Sequence, residues 1–210
     1  MYTFIVIAIV LGFILLIGGL IWLYYKTDLF SYEPPEKRAG REGERYATGL
    51  IQEVLRDSDL LYTNVIVFLG DKQRELDDVI INRNGVFIIE VKNWKGEVHG
   101  DEDDYDWVKY DITSVGNTYS KILQNPIRQV RTEIHYFASF LRDHGFDVWV
   151  NGYVFFVEHN SPVESDYVLE TIDEFDSVLH TPGKKPLSEK TVRRIEKLMD
   201  QWISGEIYVV

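Results

Sequence analysis

The feature that most constrains this chain is a pair of strand-like runs on either side of an Asn84-Gly85 turn, LDDVIIN at 76–82 and VFIIEVK at 86–92. Asn-Gly supplies the backbone a tight hairpin needs, and β-branched residues fill both runs, so they read as antiparallel neighbours. Strand side chains alternate, which places Phe87, Ile89 and Val91 on one face and Val86, Ile88, Glu90 and Lys92 on the other. Glu90 and Lys92 therefore extend an apolar face. A carboxylate and an ammonium in that position are costly to desolvate unless they are paired, hydrogen-bonded or bound to metal. A lone E-x-K is satisfied by an ion pair at a strand end. Here, however, the partner strand begins Glu75-Leu76-Asp77-Asp78, opposite the end that carries Glu90. Asp77 shares its face with Val79 and Ile81, and Asp78 shares the other with Ile80. Only one of the two can join the cluster, and strand parity alone does not say which.

The flanking segments supply layers for such a hairpin. From Gly40 to Leu55 the residues Ala47, Leu50, Ile51, Val54 and Leu55 form a helical apolar stripe, and Glu44 falls on it three residues before Ala47. An inward acid at a helix start either offsets the helix dipole or reaches the cluster. NVIVFL at 64–69 reads as a first strand. A second helix opens at Asn125-Pro126, with Ile127, Val130, Ile134, Phe137 and Leu141 as its core stripe and His135 beside it. Gln129, on its flank, either faces solvent or touches the carboxylates or a substrate phosphate. GYVFFV at 152–157 and YVLE at 167–170 read as later strands, with TIDEFDSVL and SEKTVRRIEKLMDQWI as closing helices, the latter capped by Ser188. This order predicts an α/β domain with a mixed central sheet flanked by helices.

Ahead of that domain, no residue from Tyr2 to Tyr25 carries a charge. A helix of this length covers about 30 Å of hydrocarbon, so the segment reads as a transmembrane helix contacting the lipid bilayer through residues 2–25. Trp22, Tyr24 and Tyr25 suit the membrane interface, and no basic n-region or small-residue cleavage site marks a signal peptide. Lys26, Lys37, Arg38 and Arg41 follow the segment and no Lys or Arg precedes it. This asymmetry predicts a single-pass protein of the cell membrane, N-terminus outside and C-terminal domain cytoplasmic. The expected organisation is an anchor over 1–26, a linker with its Pro-Pro pair over 27–39, a domain over 40–204 and a tail over 205–210.

The chain has 210 residues, no cysteine and a formal charge of −12. Without cysteine there is no disulfide, thiol nucleophile or thiolate-bound zinc, so any metal must be held by oxygen or imidazole. The histidines other than His135, namely His99, His144, His159 and His180, lack a metal-ligand spacing. The negative field opposes polyanions, although Arg38, Arg41 and Arg45 form a basic stretch. A second basic stretch, Lys184 to Lys197, reads first as a solvated helix face. No phosphate-binding glycine loop or serine-hydrolase motif is present.

The stretch ELDDVIINRNGVFIIEVKNWKG (75–96) resembles the signature of the nuclease-related domain, a branch of the PD-(D/E)XK nuclease superfamily. Gly40-x-x-Gly43-Glu44 resembles that family's opening helix motif, Trp107 its tryptophan after the hairpin, and Asn125-Pro126-x-x-Gln129 the start of its second helix. The resemblance covers about residues 40–200. It implies a restriction-endonuclease-like fold, with Asp77 rather than Asp78 in the Asp position, Glu90 and Lys92 in the E-x-K positions and Glu44 as the helix acid. It also implies a metal contact from the Val91 carbonyl. Asp78 stands where the family usually has histidine, adding a negative charge beside the site.

Hard oxygen ligands favour Mg²⁺ or Mn²⁺, with Asp77 and Glu90 as the side-chain ligands. The expected catalytic set is Asp77, Glu90, Lys92, Glu44 and Gln129, and the expected activity is divalent-metal-dependent hydrolysis of DNA at the cytoplasmic membrane face, with RNA also open. Lys92 would steady developing negative charge, and Glu44 would complete the outer shell, bind a second metal or take a proton. A different reading is a membrane-tethered module that binds nucleic acid or protein without turnover. Hydrolysis of a small phosphoester is a third.

Overall fold

The computed structural model describes residues 2–26, 34–69, 71–112, 116–158, 163–183 and 185–205. In chain order its elements are α1 (Tyr2–Lys26), α2 (Pro35–Val54), β1 (Leu60–Leu69), β2 (Lys72–Asn82), β3 (Gly85–Lys92), β4 (Glu97–His99), β5 (Asp106–Ile112), β6 (Thr118–Gln124), α3 (Pro126–Asp143), β7 (Val150–Phe156), β8 (Val168–Leu169), α4 (Ile172–His180) and α5 (Glu189–Ile203). The hairpin forms as the sequence predicts. Asn82 Oδ1 accepts the Asn84 and Gly85 amides at 2.8 and 3.3 Å, closing the turn between β2 and β3. β1 adds to β2 antiparallel, whereas β7 adds to β3 and β8 to β7 in parallel. The result is a five-stranded mixed sheet in the order β1-β2-β3-β7-β8.

Strand alternation then fixes the two cores. Val79, Ile81, Val86 and Ile88 pack with Val130 and Phe137 of α3 and with Ile195 and Met199 of α5. Ile80, Phe87, Ile89 and Val91 pack with Ala47 and Ile51 of α2 and with Phe175 and Leu179 of α4. Each face of the sheet is thus covered, which is why β3 is buried along its length apart from the partly exposed Lys92. α3 lies close on β7, where a Cβ at Gly152 would stand 2.7 Å from Ile134 Cδ1.

A second sheet, β4-β5-β6, was not expected from the sequence. β6 is exposed at almost every position, so it has no apolar face for alternation to reveal. The second sheet is attached through Val98 and Trp107, both fully buried, and Trp107 Nε1 donates to the Asp101 carbonyl at 2.9 Å. α2 also starts earlier than expected, at Pro35, inside the stretch read as a linker; proline at the first helical position forfeits no intrahelical bond. Residues 27–33 of that linker, and 206–210 of the expected tail, lie outside the described residues.

The chain divides into two compact units, Met1–Arg38 and Ala39–Val210. In the first, α1 is a helix of 25 residues. Among the described residues, however, no helix is long and apolar enough to cross a membrane. The transmembrane helix expected ahead of the domain is therefore not borne out by these residues.

Candidate active site

The β2–β3 ladder runs from Asn82 opposite Gly85 to Asp78 opposite Ile89 and ends there. Asp77 and Glu90 are the first residues beyond it. On the other side, Asn64 has a left-handed φ of 52° and is skipped by the β1–β2 ladder, between the pairs Thr63–Asp78 and Val65–Leu76. β2 is thus loosened on both flanks at Asp77. The Val91 amide, past the end of the ladder, donates to Asp77 Oδ2 at 2.9 Å. β3 stays in place because β7 continues beside it, with Glu90 next to Val154 and Lys92 next to Phe156.

This arrangement resolves the choice that parity left open. Asp77 shares the α3-facing side with Glu90 and Lys92, while Asp78 is buried on the opposite face, where Thr48 Oγ1 of α2 donates to its carboxylate at 3.3 Å. Burial pushes the Asp78 carboxyl up to about 7, with the Glu44 charge adding and the Thr48 bond opposing.

Around Glu90 a chain of polar contacts reaches α3. Lys92 Nζ makes a close ion pair with Glu90 Oε1 and donates to Gln129 Oε1 at 3.2 Å. Gln129 Nε2 in turn donates to Glu133 Oε1 at 3.0 Å. Gln129 is therefore engaged with the site rather than with solvent, and the Asn-Pro pair explains its aim. Asn125, fully buried, caps α3 by accepting the Ile127 amide at 2.8 Å, and its Nδ2 donates to the carbonyls of Glu102 and Asp104. The cap fixes the first turn, on which Gln129 sits.

Glu133 was not foreseen. It is 1% exposed and its carboxyl adjoins that of Glu90. The signal was present: Glu133 lies three residues after Val130 and four before Phe137, so it interrupts the core stripe of α3 with an acid. Burial first and the Glu90 charge second raise the pKa of Glu133, with the Gln129 bond opposing. The same two causes raise Asp77, against the Val91 amide and Lys92. One oxygen on each of two buried carboxylates, Glu90 Oε2 and Glu133 Oε2, has no hydrogen-bond partner.

Glu44 comes from α2, yet belongs to the same electrostatic cluster. Burial raises its pKa, followed by the charges of Glu75 and Glu90, while Lys92 and Arg41 pull it down. Val91 contributes its backbone to the site, and its side chain packs on the far face. His180 is engaged elsewhere, its ring nitrogens meeting Asp59 at 2.8 Å and Asp176 at 2.6 Å, and His159 lies outside the described residues.

A divalent cation can be tested against this donor set. Among the described residues no group of three or more His, Asp or Glu side chains is placed to hold a metal, so there is no all-protein cage. Mg²⁺ and Mn²⁺ do not require one, since one or two carboxylates suffice and water and substrate phosphate fill the remaining positions. Two orphaned carboxylate oxygens in a hard-oxygen pocket fit that requirement.

A model of the nuclease-related domain family matches residues 39–157, more than half of the chain. The chain belongs to that family. The matched part of the nuclease-related domain runs from α2 to β7, so it contains Glu44, Asp77, Glu90, Lys92, Gln129 and Glu133. No curated protein matches the chain. The chain is also similar to the crystal structure of a protein of unknown function, AF1548, at 18% identity and a TM-score of 0.30 over 81% of this chain and 68% of that one. At that score the likeness carries no argument.

Proposed function

We propose that this member of the nuclease-related domain family is a divalent-cation-dependent nuclease that hydrolyses DNA phosphodiesters, held at the cytoplasmic face of a membrane by α1. The observation that carries the catalytic part is the meeting of Asp77, Glu90 and Lys92 at the open end of the hairpin, with Gln129 closing the group from α3. Asp77 and Glu90 would hold Mg²⁺ or Mn²⁺, with the Val91 carbonyl beside them. When bound, the cation supplies Lewis-acid polarisation of a phosphoryl oxygen and activation of water.

The chain's own residues do the rest. Lys92, held by Glu90 and Gln129, places one fixed positive charge where negative charge grows on a phosphoryl group. Gln129 keeps that ammonium from swinging toward solvent. Glu44, with its raised pKa and its position on α2, is suited to accept or return a proton at the edge of the site. Asp77 is oriented by the Val91 amide and so cannot rotate away from Glu90.

The anchor rests on the sequence of α1, which has no charge before Lys26, and on its exposed apolar side chains on every side, among them Phe13, Leu15, Leu16 and Trp22. A helix that is apolar all round has no aqueous face to present. Lys26, Lys37 and Arg38 after it favour a cytoplasmic domain.

The acidic surroundings of the site, Glu44, Glu75, Asp78 and Glu133, favour a second reading in which the domain binds nucleic acid or protein without cutting it. Incubating the full chain with plasmid DNA and with RNA, in Mn²⁺ and then in excess chelator, separates the two. Cleavage that stops on chelation supports the nuclease, and binding with intact substrate in both conditions supports the alternative. Retention of the chain in carbonate-washed membranes tests the anchor.

A further inference from the structure

We infer that the domain carries a binding site for an unpaired base of a single-stranded nucleic acid, set around Trp149 at the turn end of β3. The site is separate from the carboxylate cluster: five residues of strand, roughly 17 Å, lie between Gly85 and Glu90. Trp149, just before β7, is 79% exposed. It lines a cavity of about 500 Å³ together with Asn84 and Gly85 of the β2–β3 turn, Asn151 of β7, and Gly183 and Lys185 ahead of α5.

The walls of this cavity are held in place. The Leu187 amide donates to the Arg83 carbonyl at 2.7 Å, which pins the segment carrying Lys185 to the turn. A Cβ at Gly183 would stand 3.1 Å from the Asn84 carbonyl oxygen, and one at Gly85 would stand 3.2 Å from Asn151 Nδ2, so the two glycines let the walls close. Trp149 Nε1 donates to Asn151 Oδ1 at 3.1 Å, which fixes the plane of the indole. Asn84 Nδ2 donates to the Leu179 carbonyl at 2.8 Å. These bonds leave Asn151 Nδ2 as a donor and Asn84 Oδ1 as an acceptor for a ligand.

The lining selects the occupant. In a chain of charge −12, the described residues around this cavity include a lysine and no acid. An adjoining hollow of about 360 Å³ shares Asn84, Asn151 and Gly183 and is also free of acids. The local charge therefore admits an anionic strand that the rest of the surface opposes. A flat, exposed indole takes a base by stacking, the amide donor and acceptor meet a base edge, and the ammonium takes a neighbouring phosphate. Stacking of this kind needs a base released from its duplex neighbours, so single strands are the ligand.

The experiment is binding of a short fluorescein-labelled oligothymidylate to the full chain in detergent and excess chelator, read by anisotropy, for wild type, Trp149→Ala, Trp149→Phe and Lys185→Ala. An abasic oligomer of equal length and a blunt duplex serve as competitors. Expected is a dissociation constant about tenfold higher for Trp149→Ala, a smaller rise for Trp149→Phe, and for Lys185→Ala a rise that shrinks as salt is added. Both competitors are expected to displace the oligomer weakly. Circular dichroism checks that each variant is folded. Wild-type affinity in Trp149→Ala, equal competition by the abasic oligomer, or no binding by the wild-type chain each overturns the inference. Chelator keeps cleavage out of the readout, so any of these results leaves the nuclease reading to its own test in Mn²⁺.

Discussion

Gly43 of α2 lies directly against Asn93 at the end of β3: a Cβ at Gly43 would stand 2.2 Å from Asn93 Cβ. Asn93 Nδ2 also donates to the Ala39 carbonyl at 3.3 Å. The glycine of the opening helix motif and the asparagine after E-x-K are thus two halves of one contact, which sets Glu44 beside the Glu90–Lys92 end of the sheet. Gly43→Ala has to push α2 away. Its predicted cost is about 1–3 kcal/mol in chemical denaturation, with slower DNA cleavage. Gly40→Ala, which meets only Glu44 Oε1 at 4.0 Å, is predicted to be neutral or slightly stabilising. Equal effects from the two substitutions would count against this role of the contact.

The crowding of buried acids predicts a pH dependence. In an unfolded chain Asp and Glu titrate near ~4, and below that both states hold their protons, so folding is unpenalised. As pH rises the unfolded chain releases protons that the folded Asp77, Asp78 and Glu133 retain, because their pKa values are raised. Stability is therefore lost upward from ~4, through about 7 for Asp78 and further in the same direction for the other two. In chelator the melting temperature is predicted to be higher at pH 5 than at pH 8, each ~1 kcal/mol moving it by about 2–4 °C. Mn²⁺ is predicted to raise it more at pH 8. A melting temperature that climbs from pH 5 to pH 8 in chelator would contradict this account.

Asp78 and Asp77 are adjacent in sequence but face opposite sides of the sheet, so their substitutions should behave differently. Asp78→Asn retains an acceptor for Thr48 and removes a buried charge next to Glu44. It is predicted to raise the melting temperature at pH 8 and to flatten its fall with pH, with cleavage within about threefold of wild type, since the site on the far face is untouched. Asp77→Asn is predicted to abolish cleavage. Equal loss in both would mean that Asp78 itself takes part in the chemistry.

Much of this was legible in the residues. The Asn84-Gly85 turn and the alternation in β2 and β3 fix which side chains share a face, and so bring Glu90 and Lys92 together. The Asp77 or Asp78 ambiguity was physical: both faces of this sheet are covered, so burial does not choose between them. What chooses is the register of the hairpin: Asp78 stands opposite Ile89 and Val79 opposite Ile88, so Asp77 falls on the face of Ile88 and Glu90. Glu133 was hidden by reading its helix for apolar residues only. The β4-β5-β6 sheet escaped because its strands are held by two buried side chains, Val98 and Trp107, rather than by a continuous apolar face.

The central claim is that Asp77, Glu90 and Lys92 act as one cation-dependent unit. The most direct measurement is the Mn²⁺-dependent cleavage rate of plasmid DNA by the full chain and by Asp77→Asn, Glu90→Gln, Lys92→Ala and the triple variant. Residues that act as a unit are not additive, so each single change is predicted to lower the rate by about a hundredfold or more, with the triple variant no slower than the worst single. Metal-dependent cleavage that persists near the wild-type rate in any of the three single variants would contradict the claim.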